Sequence, residues 1–258
     1  MLRLGWLVIV LGLMGCSSKS GKVDASGEAI DFSPGGFIEI DMDEDEDEDL
    51  FSMELMTATA DCGDLVKLEP KALMGVLEDG QIRCLDKGIR QAELQTVKDK
   101  LSRVLMADAW AKADHHRWEG IVRKHLEEIT RSDPDLCYKF ALYLSKKGPA
   151  NADETQKWAD VALSNKTMWT GSVFSARVYS LLRLKTLASF RKWQSLEKKL
   201  AQAPDPALKE EMGDTRNQTK TLAREWLEYA NSAGKDITVA FQICTSAAGT
   251  AEFCELSE

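Results

Sequence analysis

Apolar residues beyond residue 93 recur at intervals of three and four positions, the spacing that places them on one face of an α-helix. The clearest series is the run Leu94, Val97, Leu101, Val104 and Leu105. Almost no segment alternates apolar and polar residues at every second position, the pattern that a half-buried β-strand requires. The sequence therefore predicts an all-α fold.

Turn signals divide this part of the chain into seven expected helices. Their apolar positions lie at 94–105, 118–129, 136–144, 158–162, 174–187, 193–200 and 222–229. Gly148-Pro149 is expected to end the third helix, because glycine tolerates the left-handed conformation after a helix and proline cannot continue one. Asp205-Pro206 is expected to begin the seventh. We therefore predict stacked antiparallel helix pairs over residues 94–258.

A shorter helical segment is predicted at 61–93, where it would form an N-terminal cap. Glu69-Pro70 is expected to begin one helix, since proline is favoured at the first helical position. The apolar positions from Ile82 to Ile89 indicate a second helix.

The chain begins with a short uncharged segment, Leu4–Met14, after Arg3. A membrane-spanning helix needs about 20 apolar residues, so this segment is too short to span a bilayer. It fits the apolar core of a secretory signal peptide. The four residues Leu13-Met14-Gly15-Cys16, which overlap its end, resemble the lipobox of bacterial lipoproteins, with Met14 larger than the usual residue at its position.

This resemblance implies removal of residues 1–15 and acylation of Cys16, whose fatty acids would hold the protein in a lipid bilayer. It places the protein in the bacterial cell envelope. The residue after Cys16 is Ser17. In some bacterial lipoproteins, a residue other than aspartate at this position resembles a signal for sorting to the outer membrane. An ordinary cleaved signal, with Cys16 incidental, is the alternative.

Negative charge is concentrated near the N-terminus. Residues 17–60 contain 13 acids and 2 lysines, whereas residues 61–258 contain 29 acids and 30 bases. Eight of the nine residues of Asp41–Asp49 are acidic, and such a run repels itself and is typical of disorder. We therefore predict that residues 16–60 form a lipidated, disordered acidic tether. The near-neutral remainder gives no reason to expect nucleic acid as a partner.

The acidic run could instead bind a cation such as calcium. An EF-hand loop beginning at Asp41 would need glycine at its sixth position and glutamate at its twelfth. The chain has Glu46 and Ser52 there, so a solvated spacer is favoured over a cation-binding tether.

Five cysteines remain after Cys16, and an exported protein is in a compartment where disulfides persist. We predict two local disulfides, Cys62–Cys84 and Cys244–Cys254. Cys137, the odd residue, has apolar neighbours and is expected to be a small buried side chain. No C-x-x-C spacing indicates zinc or a redox motif.

No catalytic motif is present, and we predict neither a cofactor nor a metal site. His115 and His116 are adjacent and cannot share a helix face, so these residues and His125 are expected at turns or on the surface. Trp169, at a helix junction, is expected to be exposed and to line a partner groove. Arg177 is a candidate charge in the same groove, although a surface salt bridge is favoured for it.

The helix pairs resemble tetratricopeptide repeats over about residues 98–235. Asp133-Pro134 and Asp205-Pro206 are each expected to end one helix and begin another. They are 72 residues apart, twice a period close to that of this family. The segments that precede them, 125–129 and 196–200, resemble the second helix of such a repeat. The first-helix Trp, Leu-Gly and Tyr positions are not reproduced together, so an unrelated helical bundle is the alternative.

These resemblances imply a membrane-anchored adaptor. Helical-repeat lipoproteins present a groove to another envelope protein, in secretion, motility, pilus or outer-membrane assembly machinery. The alternatives are a cell-wall or peptide hydrolase with an unrecognised site and a cation-binding tether protein.

Overall fold

The computed structural model describes residues 48–256. The predicted signal peptide, the lipidation site at Cys16 and the tether up to residue 47 lie outside this range. The described residues form ten α-helices and no β-strand, which confirms the all-α prediction. The helices are α1 (Glu48–Thr59), α2 (Leu65–Leu73), α3 (Asp79–Gln91), α4 (Gln95–Ala111), α5 (His115–Lys124), α6 (Pro134–Lys147), α7 (Ala152–Ser164), α8 (Gly171–Gln202), α9 (Pro206–Ser232) and α10 (Thr238–Ala248).

Most helices pack against a neighbour in the sequence. The most extensive contacts join α6 to α7, α7 to α8, α8 to α9 and α9 to α10. At the N-terminal end, α2 and α3 both pack on α4, and α1 packs on α3 and α4. One amphipathic helix pair cannot bury its apolar face alone, so this succession of contacts builds the core along the chain.

Two buried clusters mark the two ends of the helical region. The N-terminal cluster is built around α4, whose Leu101, Val104 and Leu105 are buried among residues of α2 and α3. The C-terminal cluster brings Trp226 and Leu227 of α9 together with side chains of α8 and α10. Each end is also closed by a predicted disulfide, and both disulfides are present: Cys62–Cys84 and Cys244–Cys254.

Two Asp-Pro steps begin helices as expected. The Asp133 side chain accepts a hydrogen bond from the Leu136 backbone N–H at 2.8 Å, and Pro134 is the first residue of α6. Asp205 likewise accepts from the Ala207 N–H at 2.9 Å before α9. Aspartate side chains satisfy backbone donors that a helix start leaves free. The proposed repeat stays a prediction, because equivalent helix starts alone do not define a repeat.

Two helix boundaries differ from the prediction. Helix α2 begins at Leu65 and contains Pro70 in its interior, because the Asp64 side chain accepts from the Val66 N–H and caps the helix earlier. The helices expected at 174–187 and 193–200 are one helix, α8, of 32 residues. No glycine or proline lies between Gly171 and Pro204 to interrupt it.

A third difference concerns the predicted tether, whose last part is helix α1. Phe51, Leu55 and Ala58 of α1 pack against the N-terminal cluster. Their spacing of four and three residues gives a buried helical face, and burial of that face outweighs the repulsion of the acids at the start of the helix. Within residues 48–256, no helix is both long and apolar enough to cross a membrane.

Candidate functional site

Exposed apolar side chains are concentrated at the N-terminal end of the helical region. Among residues 48–256, eleven large apolar side chains are exposed, and seven of them lie between residues 50 and 76. These seven are Leu50, Met53, Met56, Val66, Leu73, Met74 and Val76. Single exposed apolar residues are ordinary, but a concentration of them marks a candidate interaction surface.

Helix α1 is apolar on two sides. Phe51, Leu55 and Ala58 face the core, whereas Leu50, Met53 and Met56 form a second line of side chains at intervals of three residues. These three, which we call the outer stripe, are exposed to 45%, 58% and 66%. An ordinary surface helix has a polar face opposite its apolar one, so the outer stripe is the part of α1 that folding does not explain.

A groove of about 640 Å³ lies between α1 and α2. Leu55 and Met56 line it from α1, and Leu65 and Val66 line it from α2. Val66 is exposed to 76%. Because Met56 belongs to both the groove and the outer stripe, the two features form one continuous apolar surface, which we call the docking surface.

Three features hold α1 in place. The Glu54 carboxylate accepts hydrogen bonds from the backbone N–H groups of Glu93 and Leu94, the latter at 2.9 Å, just before α4 begins. The Cys62–Cys84 disulfide ties the segment after α1 to α3. Gly88 of α3 lies so close to α1 that a Cβ there would be 2.7 Å from the Ala58 carbonyl oxygen. The docking surface is therefore displayed on a fixed helix.

The segment after α2 is fixed by a buried carboxylate. Asp108 of α4 is fully buried and accepts a hydrogen bond from the Leu77 N–H at 3.1 Å. The Lys112 ammonium lies 3.1 Å from Asp108 Oδ2 and donates to the Leu77 carbonyl at 2.7 Å. Arg117 also pairs with Asp108. This network joins the exposed segment that includes Met74 and Val76 to the body of the protein.

The predicted partner groove at Trp169 and Arg177 is not an open surface. Trp169 is exposed to only 6% and donates its indole N–H to Asp135 Oδ1 at 3.2 Å, so the prediction that it is exposed is wrong. Arg177 lies 3.6 Å from the same oxygen and 4.2 Å from the centre of the Tyr138 ring. One carboxylate in the first turn of α6 thus contacts both side chains, and Arg177 makes the surface salt bridge that was favoured for it.

His125, expected at a turn or on the surface, is fully buried. Its Nε2 lies 3.0 Å from Asp99 Oδ1, and Arg103 bridges Asp99 at 2.7 Å and Asp133 at 2.6 Å. Burial alone would raise the pKa of Asp99, but the contacts with His125 and Arg103 outweigh it and hold this pKa below its usual value. The histidine sits in a π-helical turn, 125–129, which sequence spacing does not reveal.

The remaining candidates for chemistry are His115, His116 and Cys137. Both histidines are exposed, and within the described part of the chain no three His, Cys, Asp or Glu side chains are grouped to hold a metal ion. Cys137 is free and buried, and burial together with the charge of Asp133 raises the pKa of its thiol to about 12. A thiol that stays protonated at neutral pH is a poor nucleophile, which disfavours a hydrolase built on Cys137.

We compared the chain with models of protein families, with curated proteins and with solved structures, and nothing matches it. The functional interpretation therefore depends on the docking surface and the residues around it.

Proposed function

We propose that this protein is a lipid-anchored adaptor of the bacterial envelope, and that its docking surface binds another envelope protein. The single observation that supports this most is the concentration of exposed apolar side chains on α1 and α2. A surface of this kind is costly to leave in water, and contact with a partner removes that cost. The machinery for secretion, motility, pilus or outer-membrane assembly is the class of partner we expect.

The composition of the docking surface supports contact with a protein. Met53 and Met56 have flexible, polarisable side chains that adapt to the shape of a partner. Glu54 and Gly88 hold the helix beneath them in one position, so little backbone conformational entropy would be lost on binding. A fixed helix with adaptable side chains suits an adaptor.

The lipid anchor is the second part of the proposal. Acyl chains on Cys16 would hold the chain at a bilayer, most simply the outer membrane, and several chains are needed for durable attachment. The segment between Cys16 and Glu48 could extend about 100 Å at most. The helical region would thus be kept near the membrane while its docking surface remains free to meet a partner.

The partner is tested by affinity purification from detergent-solubilised membranes of cells that produce the protein. We expect the unaltered chain to retain one defined envelope protein reproducibly. The double variant Met53→Gln, Met56→Gln should lose it. The variant Met168→Gln should retain it, because Met168 is exposed to 61%, much like Met56, but lies outside the docking surface. Equal recovery with all three chains, or no reproducible partner, contradicts the proposal.

The anchor is tested separately with the variant Cys16→Ser. If Cys16 carries the lipid, this change should move the protein from the membrane fraction to the soluble fraction. Unchanged membrane fractionation would show that the anchor lies elsewhere.

A further inference from the structure

We infer that the segment bound by the docking surface is a cationic amphipathic helix of the partner protein. This inference rests on the proposed function and adds the chemistry of the partner. It is carried by the charge that surrounds the outer stripe and by the shape of the groove beside it.

The docking surface lies in a strongly acidic part of the chain. Eleven acids and no lysine or arginine lie between Asp41 and Asp64, and no base occurs after Lys22 until Lys67. Four of these acids are exposed beside the outer stripe or the groove: Glu48, Asp49, Asp61 and Asp64.

Asp61 and Asp64 form ion pairs with lysines of the same chain. Lys87 lies 3.7 Å from Asp61, and Lys67 lies 3.7 Å from Asp64. All four side chains are half exposed or more, and exposed ion pairs at this distance are weak. They leave the acids available to the cations of a partner. Lys100, which also lines the groove, lies 2.7 Å from Glu69, so this lysine is paired within the protein. The exposed charges around the apolar surface are therefore mainly acidic, which makes the surface complementary to apolar side chains flanked by lysine or arginine.

The shape of the docking surface favours a helix as the bound element. Residues three apart, as in the outer stripe, form a ridge that is inclined to the axis of α1, and the groove beside it is bordered by a second helix. Side chains of an added helix can pack against such a ridge and into such a groove, as in helix-in-groove recognition. Met56 would contact the added helix from both features.

Three other occupants fit the charges less well. A second copy of the chain would bring two acidic rims together, and an anionic membrane surface would repel the same acids. The apolar segment Phe37–Ile40 is followed at once by Asp41–Asp49. Its return to the groove would bring the acids from Asp41 to Asp47 back against Glu48 and Asp49 of α1.

The inference is tested with model peptides and the full chain held in phosphatidylcholine nanodiscs, with empty nanodiscs as the blank. The probe is a labelled helical peptide of about 18 residues, or five turns, composed of leucine and lysine. A leucine–glutamate peptide of the same pattern and a scrambled leucine–lysine peptide are the matched controls. We expect only the patterned leucine–lysine peptide to bind, with weaker binding as NaCl rises from about 0.05 M to about 0.3 M.

Variants locate the binding on the protein. The double variant Met53→Gln, Met56→Gln should weaken binding of the leucine–lysine peptide at least about tenfold, since it removes two apolar contacts. Met168→Gln should leave the affinity unchanged. The substituted side chains are exposed, and equal thermal unfolding of the three chains would establish that each is folded.

Several outcomes overturn the inference. They are absence of binding, equal binding of the leucine–glutamate peptide, equal loss of affinity in Met168→Gln, and attachment of the chain to phosphatidylglycerol vesicles through Met53 and Met56. These outcomes are distinguishable from failure of the proposed function. If affinity purification still recovers a partner that depends on Met53 and Met56, the adaptor proposal stands and only the chemistry of the partner is wrong.

Discussion

The two ends of the helical region have similar cores but different exposed surfaces. Each has a buried cluster and a disulfide, Cys62–Cys84 at one end and Cys244–Cys254 at the other. The N-terminal end exposes seven large apolar side chains, whereas beyond residue 230 only two are exposed among the described residues, Val239 and Phe253.

At the C-terminal end, cations of the same chain cover the exposed ring of Phe253. The Lys220 ammonium lies 4.7 Å from the centre of the Phe253 ring. Arg224 lies 5.9 Å from it and donates hydrogen bonds to the carbonyls of Phe253 and Glu255. Cations over an aromatic face are favourable.

The charged residues of α1, the helix that bears the outer stripe, are all acids: Glu48, Asp49 and Glu54. A terminal element of a helical stack normally presents a polar outer face. The C-terminal end follows this rule and the N-terminal end does not. The C-terminal end is thus a stabilising cap without exposed methionines. Because a cap does not require them, we assign binding to the N-terminal end.

The largest expected effect on stability comes from replacing Asp108, which holds the segment after α2 against α4. Replacing it by alanine leaves Arg117 and the Leu77 N–H without their buried acceptor, so Asp108→Ala should lower the free energy of unfolding by about 3–5 kcal/mol. Urea denaturation measures this change. The control Asp61→Ala, at a side chain exposed to 83%, should change it by less than about 0.5 kcal/mol. Similar losses in both variants would contradict the fastening role.

The disulfides offer a direct comparison of the two ends. Cys62 and Cys84 are separated by 22 residues, and Cys244 and Cys254 by 10. The longer loop restricts the unfolded chain more, so Cys62→Ser, Cys84→Ser should cost about 3 kcal/mol and Cys244→Ser, Cys254→Ser slightly less. Chemical denaturation without reductant checks the order.

Only the N-terminal pair of substitutions should also weaken binding of the leucine–lysine peptide. Weaker binding in the C-terminal pair alone would reverse the functional assignment of the two ends.

A smaller change should displace α1 itself. Gly88→Ala adds a methyl group 2.7 Å from the Ala58 carbonyl oxygen, and crowding of this kind costs about 1–3 kcal/mol. The control is Gly80→Ala on the same helix, where a Cβ meets nothing within 4 Å. That change should be neutral or slightly stabilising. Thermal unfolding and peptide affinity are both measured, and equal behaviour of the two variants would argue against a tight α1–α3 contact.

The last prediction concerns acid, and it follows from the depressed pKa of Asp99. A carboxylate with a lower pKa in the folded state stabilises the fold above its unfolded pKa, about 3.9. That contribution is lost as the pH falls through the folded value. The free energy of unfolding should therefore decrease below about pH 4. Plots of this free energy against pH for the unaltered chain and for Asp99→Asn should converge there. Parallel curves in urea titrations at several pH values would contradict this role for Asp99.

Periodicity and cysteine spacing predicted the parts of the fold that depend on local chemistry. The all-α class, the starts of α6 and α9 at Asp-Pro steps and both disulfides follow from nearby residues. We expected two helices where α8 is continuous. The continuity could have been predicted, because no glycine or proline interrupts residues 172–203.

The docking surface was missed because the acids of Asp41–Asp49 made the whole segment look like a tether. Two helical series in α1 were the signal that could have located it. One contains Phe51 and Leu55, and the other contains Met53 and Met56. The burial of Trp169 and His125 depends on carboxylates 34 and 26 residues away, Asp135 and Asp99. Spacing along the chain cannot predict such tertiary contacts.

We propose that the N-terminal end of the helical region, and not the C-terminal end, contacts a partner. The most direct measurement is photo-crosslinking in intact cells with benzoylphenylalanine placed at residue 56, at residue 168 or at residue 253. We expect one discrete protein adduct from position 56 and none from the other two positions. A discrete adduct from position 253, with none from position 56, would contradict it.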